Sequence, residues 1–213
     1  MKKIKIKSHV DMLLKGIYAG IMIGIGGTAY LALENKIVGS FLFSIGLLTI
    51  CMYSLNLFTG KVGYVLINKI SYLWELLLSL VGNFIGTFLV GFVMQFTRFE
   101  NYSDIAKKLV MIKLDDNLIS IFILSIFCGI LMYLAVNNFK NSKDLFSKYI
   151  GIFMCVMTFI LCGFEHCIAN MFYFSIAGVW NNRVFLYLLI MIIGNGVGSI
   201  IMALYYNRFF KNK

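Results

Sequence analysis

The stretch 159-FILCGFEHCIANMFYF-174 places a glutamate, a histidine and an asparagine inside an apolar run. That run extends from Tyr149 to Trp180, and Glu165 is its only charge. Ionisable groups at membrane depth are costly and tend to mark a pathway. Two questions follow: what kind of chain can hold such a stretch, and what Glu165, His166 and Asn170 face.

Composition answers the first. The 213-residue chain is 61% hydrophobic and only 13% charged, against about 25% charged in soluble domains. Its mean hydropathy is +0.88. Apolar blocks repeatedly reach the ~20 residues that a bilayer-spanning helix requires. An integral membrane protein is expected, in contact with the lipid bilayer and placed in the cell (plasma) membrane. The cysteines Cys51, Cys128, Cys155, Cys162 and Cys167 lie in apolar blocks, without a CxxC pair or zinc-like spacing. They read as small buried hydrophobes, and no metal or cofactor is expected. The start, 1-MKKIKIKSHVDMLLKG-16, has features of a signal peptide, but five further spans follow it, so a retained first helix is expected.

The apolar blocks run roughly over 12–33, 37–68, 72–97, 117–138, 149–179 and 184–207. The expected fold class is all-α, a single transmembrane channel domain over 1–213 with six transmembrane helices. A first half at about 10–98 and a second at about 117–207 are joined by the linker 99–116. The mixed charges of that linker suggest a surface-lying amphipathic segment. No loop is long enough for a separate catalytic domain.

Basic residues set the orientation. With the N-terminus inside, the cytoplasmic side holds Lys2, Lys3, Lys5, Lys7, Lys15, Lys61, Lys69, Lys140, Lys143, Lys148, Arg208, Lys211 and Lys213. The other side holds only Lys36, Arg98, Lys107, Lys108, Lys113 and Arg183. This bias places both termini in the cytoplasm. The net charge of +10 is therefore mostly topology and does not point to nucleic acid.

Blocks 37–68 and 149–179 exceed the ~25 residues of even a tilted span. Both carry polar residues near their middle: Ser54, Asn56, Thr59 and Lys61 in one, Glu165, His166 and Asn170 in the other. Irregular backbone at membrane depth survives where protein buries it or water lines it. Two of the six helices are therefore expected to be broken, the alternative being a long tilted helix with an interfacial tail. The chain has no proline, so the breaks must use glycine and polar side chains, with Gly60, Gly63 and Gly163 as candidates.

Three landmarks recur in order. The segment 18-YAGIM-22 resembles 127-FCGIL-131, 58-FTG-60 takes the place of 164-FEH-166, and 81-VGNFIGT-87 matches 193-IGNGVGS-199. Three spans per half is an odd number, so the second copy must cross the membrane upside down. An inverted repeat with one broken helix per half places its site near the midplane. Glu165, His166 and Asn170 would then lie at one break, facing Thr59 from the other half. Glycines at 16, 20 and 24, at 82 and 86, and at 194 and 198 have the spacing that lets helices approach closely in lipid.

The motif 163-GFEHCIANMF-172 resembles the fifth-span motif of the formate/nitrite transporter family, 57-LFTG-60 its second-span motif, and the asparagine-glycine segment at 194–198 its last span. The resemblance covers nearly the whole chain. It implies an aquaporin-like fold, assembled as a homopentamer with one pore per protomer, that passes small monovalent anions such as formate, nitrite or hydrosulfide. By position, His166 resembles the central pore histidine and Thr59 the loop threonine beside it. Phe43, Leu47 and Phe159 resemble the apolar constrictions, Asn195 a polar pore-lining group, and Glu165 the buried acid before the histidine. Asn170 belongs to the same pore group, and Lys15 and Lys113 would supply charge to the vestibules. Lys15, in 13-LLKGIYAG-20, looks most like the hydrosulfide-channel branch. The chain departs from the family pattern at Asn56, where an acid is usual, at Ser175, where many members have proline, and at Tyr133, near a fourth-span asparagine.

Two other functions compete with the anion channel. An aquaporin-like facilitator of neutral solutes predicts flux independent of pH and of anion charge. A membrane enzyme would need a nucleophile-base pair or a metal set such as HExxH, and neither is present.

Overall fold

The computed structural model describes residues 9–210. Lys2, Lys3, Lys5, Lys7, Lys211 and Lys213, which enter the orientation argument, lie outside the described residues. Within them the chain is all-helical. Four helices are long and apolar enough to cross a membrane: α1 (His9–Ala32), α4 (Tyr72–Met94), α6 (Leu118–Asn141) and α9 (Asn182–Phe209).

In the two overlong blocks the helix stops and restarts. The first contains α2 (Lys36–Met52), then α3 (Phe58–Lys61), which runs into a 3-10 stretch at Val62–Ile67. The second contains α7 (Leu145–Leu161) and α8 (Cys167–Ala177). Both stops use the same device. The Leu55 N–H donates to Ile50 O and the Ser54 N–H to Cys51 O, while Phe164 N–H donates to Phe159 O and Gly163 N–H to Ile160 O. This is the Schellman pattern, which needs one left-handed residue. Gly163 supplies it at φ 69° and Ser54 at φ 52°. Gly163 was expected at a break; Gly60 and Gly63 were not confirmed there, because both lie beyond it in helical turns packed against Val136 and Tyr133. Ser54 stands out in the sequence only as a polar residue of the block, because a serine carries no signature of this left-handed conformation.

The stops also fix the register of the repeat. Ser54 corresponds to Gly163, and the next residues make equivalent bonds: Asn56 N–H donates to Lys15 O at 3.2 Å, Glu165 N–H to Leu124 O at 3.4 Å. Leu57 therefore corresponds to His166, and Lys61 to Asn170. The pairing of 58-FTG-60 with 164-FEH-166 is out of register; Phe58 corresponds to Cys167.

Close packing follows the glycines. A Cβ on Gly82 would lie 2.8 Å from Gly16 Cα, so α1 and α4 touch backbone to backbone. The α6–α9 seam repeats this: a Cβ on Gly194 would lie 2.9 Å from Phe122 O, and one on Gly129 2.9 Å from Asn195 Cα. The linker helix α5 (Tyr102–Asp115) buries Ala106, Val110 and Leu114, one stripe at helical spacing, and packs against α8. Asp104, Ile105, Lys107 and Lys108 stay exposed, so the segment is surface-lying and amphipathic, with its small apolar stripe docked.

Candidate functional site

The two breaks meet. Thr59 Oγ1, at the start of α3, lies 2.9 Å from His166 Nε2, the residue that caps α8. Both side chains are buried, at 1% and 2% exposure. His166 Nδ1 accepts the Ala169 N–H at 3.0 Å. A ring nitrogen that accepts carries no proton, so the neutral imidazole bears its hydrogen on Nε2 and donates it to Thr59. The threonine hydroxyl then keeps its own hydrogen for another acceptor.

Apolar rings enclose this pair. Phe159 stacks on the imidazole with centroids 5.3 Å apart, and Phe43 meets Phe159 edge-on at 5.9 Å. Leu47, one turn along α2 from Phe43, is buried beside it. Thus Phe43, Phe159, Thr59 and His166 form one connected cluster.

A cavity opens on each side. One, of about 270 Å³, is lined by Phe159, Glu165, His166, Asn170 and Lys113, among others. The other, of about 420 Å³, is lined by Ile50, Asn56, Leu57 and Lys61, with Lys140 and Lys148. In the repeat register Ile50 answers Phe159, Asn56 answers Glu165, Leu57 answers His166 and Lys61 answers Asn170. The same backbone builds both cavities. Lys15 lies apart, in a pocket of about 220 Å³ with Asp11, Tyr18 and Asn56.

Lys113 does not hold a free vestibule charge. Its ammonium sits 3.0 and 2.8 Å from the two oxygens of Glu165, which is 3% exposed. Asn170 Nδ2 donates to the same carboxylate at 2.7 Å, and its Oδ1 is buried without a hydrogen-bond partner. A buried charge persists when paired and hydrogen-bonded, and Glu165 has both supports. Its lysine partner comes from α5, too far along the chain to be read locally.

Asn195 was expected to line the pore and does not. It is fully buried. Its Oδ1 accepts the Cys167 N–H at 2.9 Å, and its Nδ2 donates to Ser125 O and Glu165 O at 2.8 and 2.7 Å. Asn83 does the same in the other half: it accepts the Phe58 N–H and donates to Gly16 O and Asn56 O. These amides satisfy backbone groups that the broken helices leave open. Asn83 was missed as a functional residue, although its place in 81-VGNFIGT-87 against 193-IGNGVGS-199 carried the signal. Tyr133, the fourth-span departure, packs against Tyr64 and Tyr206.

Comparison with known proteins agrees with this arrangement. The sequence profile described as Formate/nitrite transporter matches residues 1–208. The chain is 28% identical over 241 residues to a formate-nitrite transporter of Plasmodium falciparum (isolate 3D7), covering 92% of this chain and 77% of that protein. It is 24% identical over 186 residues to the formate channel FocB of Escherichia coli (strain K12), covering 78% and 66% respectively. A solved structure described as a pentameric formate channel with formate bound superimposes with a TM-score of 0.82 at 25% identity, covering 98% of this chain and 100% of that one. With its long apolar helices this chain is a multi-pass membrane protein of the channel and transporter kind, not an enzyme, and it belongs to the formate/nitrite transporter family.

Proposed function

We propose that this chain is a channel for small monovalent weak-acid anions, assembled as a homopentamer with one pore through each protomer. In this reading the chain crosses the membrane six times, as two halves of opposite topology with an aquaporin-like arrangement. Blocks 37–68 and 149–179 are the two interrupted crossings, and both termini face the cytoplasm. The pore runs from the 420 Å³ cavity to the 270 Å³ cavity past Phe43, Leu47 and Phe159. The observation that carries the reading is the Thr59–His166 contact, which ties the two breaks together at the cavity boundary.

The apolar rings make charge the selecting property. An unpaired anion in a low-dielectric constriction costs tens of kcal/mol, whereas a neutral polar group costs a few. A weak acid crosses as the protonated species, and chloride, which stays ionised near neutral pH, crosses poorly. Thr59, relieved of accepting duty elsewhere by the histidine N–H, offers its hydroxyl hydrogen to the acid's carbonyl oxygen or equivalent. Formate, nitrite and hydrosulfide all fit; the placement of Lys15 in 13-LLKGIYAG-20 favours hydrosulfide.

Flux of formate, nitrite, hydrosulfide and chloride into liposomes holding the purified protein, compared across pH, tests this. The three weak acids should pass with rates that rise as pH falls, and chloride should lag behind them. Equal chloride flux removes neutralisation as the selecting step. Flux of a neutral solute that ignores pH would instead identify a neutral-solute facilitator.

A further inference from the structure

The repeat builds the two cavities from corresponding positions, but the charges at those positions are exchanged. On the His166 side the break carries the acid Glu165 and the amide Asn170; at the matching places in the other half stand the amide Asn56 and the base Lys61. Among the described residues, the lining of the 420 Å³ cavity includes Lys61, Lys140 and Lys148 and no acid. That of the 270 Å³ cavity includes one lysine, Lys113, against two acids, Asp116 and Glu165. We propose that the two mouths of the pore have opposite electrostatic sign, and that Lys140 and Lys148 make the larger one an anion-binding antechamber.

Local contacts support the assignment. Lys61 is already engaged, with Asn56 Oδ1 at 3.2 Å and Glu75 Oε2 at 3.5 Å. Lys140 and Lys148 make no ion pair with a described residue. Their ammonium groups rest on aromatic rings instead, Lys140 4.4 Å from the centre of Tyr64 and Lys148 5.8 Å from that of Phe139. A ring holds a cation without neutralising it. In the other mouth the Glu165 carboxylate takes up the charge of Lys113 and leaves Asp116 in excess. A cleft lined by one sign of charge raises the local concentration of the opposite ion about tenfold or more, and salt weakens the effect.

The consequence for transport rests on the anion-channel reading. A permeant anion should half-saturate the pore at lower concentration from the lysine mouth than from the other. A passive pore cannot pump, so the ratio of maximal rate to half-saturation is equal in both directions. The maximal rate from the lysine mouth is then lower by the same factor.

The sign of each mouth can be measured without transport. Cys51 lines the lysine mouth, and Ile160, its repeat counterpart, lines the other. Cys128 and Cys167 are fully buried and stay in place, while Cys155 and Cys162 are changed to Ala. In detergent, one reads the rate of thiol modification by a sulfonate-bearing and by a trimethylammonium-bearing methanethiosulfonate, at Cys51 and at an Ile160→Cys variant lacking Cys51. The anionic-to-cationic rate ratio should be about tenfold higher at Cys51. It should fall several-fold there in Lys140→Gln with Lys148→Gln, and shrink in high salt. Equal ratios at the two mouths, or a Cys51 ratio indifferent to the lysines, overturn the proposal. Zero-trans formate flux from each face gives a second readout: a half-saturation lower on the lysine face, raised on that face alone by the double variant, supports it, and equal values from both faces overturn it. If no weak-acid anion crosses from either face, the anion-channel reading fails, while the reagent ratios still decide the sign of the mouths.

Discussion

Asn83 and Asn195 perform one task in opposite halves: each side-chain amide accepts the first N–H of a restarting helix and donates to two carbonyls, one on the break and one on a neighbouring helix. A broken helix exposes backbone donors and acceptors that water would satisfy in a soluble protein. At membrane depth each costs energy if left open. One amide per half closes two of them and ties the break to a neighbouring helix. Changing either residue to Ala should therefore lower stability by several kcal/mol, taking about 1–3 kcal/mol for each buried group left unpaired. Thermal unfolding in detergent reads it. Similar losses at both positions support the shared role, and a neutral Asn195→Ala would return that residue to the pore lining.

The Lys113–Glu165 pair predicts a rescue. Lys113→Met leaves a carboxylate that is 3% exposed facing no cation. Breaking a buried pair from one side costs about 3–5 kcal/mol, whereas replacing both members is often close to neutral. Lys113→Met should thus lower the unfolding temperature sharply, and adding Glu165→Gln should restore most of it, since Gln can still accept from Asn170. A double variant no more stable than the single one would mean that Lys113 matters for something other than this charge.

Much of the site was legible along the chain because its residues are close in sequence. The stretch 163-GFEHCIANMF-172 contains the left-handed residue, the acid, the capping histidine and the asparagine that holds the acid. The length of blocks 37–68 and 149–179, with polar residues near the middle of each, pointed to an interruption. What stayed hidden is tertiary. Lys113 reaches Glu165 across 52 residues. Lys140 and Lys148, read only as topology charges, meet Lys61 in one cavity lining. The register at the first break was missed because Ser54 does there what Gly163 does in its counterpart.

Thr59 and His166 bear on pH dependence. With Nδ1 committed to the Ala169 N–H, adding a proton to the ring would set two hydrogens against each other. The imidazole therefore works as a fixed neutral donor, and the pH profile of flux should follow protonation of the permeant acid. His166→Asn should slow transport but leave the shape of that profile unchanged. An inflection near the histidine range of about 6.5 in the native protein that vanishes in the variant would show that the ring titrates during transport. Thr59→Val, which leaves the Nε2–H facing a methyl, should cost about 1–3 kcal/mol of stability, with Thr59→Ser close to native.

The glycine seams give a matched pair with an internal control. A Cβ on Gly86 would collide with the Ile17 carbonyl, and one on Gly198 with the Ile126 carbonyl, so Ala at either site forces helix backbones apart. Gly196 lies in the same helix as Gly198, but a Cβ there would meet only Val62 Cγ2, at 3.6 Å, an ordinary contact. Overpacking typically costs about 1–3 kcal/mol. Gly86→Ala and Gly198→Ala should each lose stability in that range, while Gly196→Ala should be neutral or slightly stabilising, since Ala favours a helix over Gly by about 1 kcal/mol. Unfolding temperatures of the three variants, measured side by side in one detergent, decide it. If Gly196→Ala falls as far as Gly198→Ala, the loss comes from the helix itself and not from the closeness of α6 and α9.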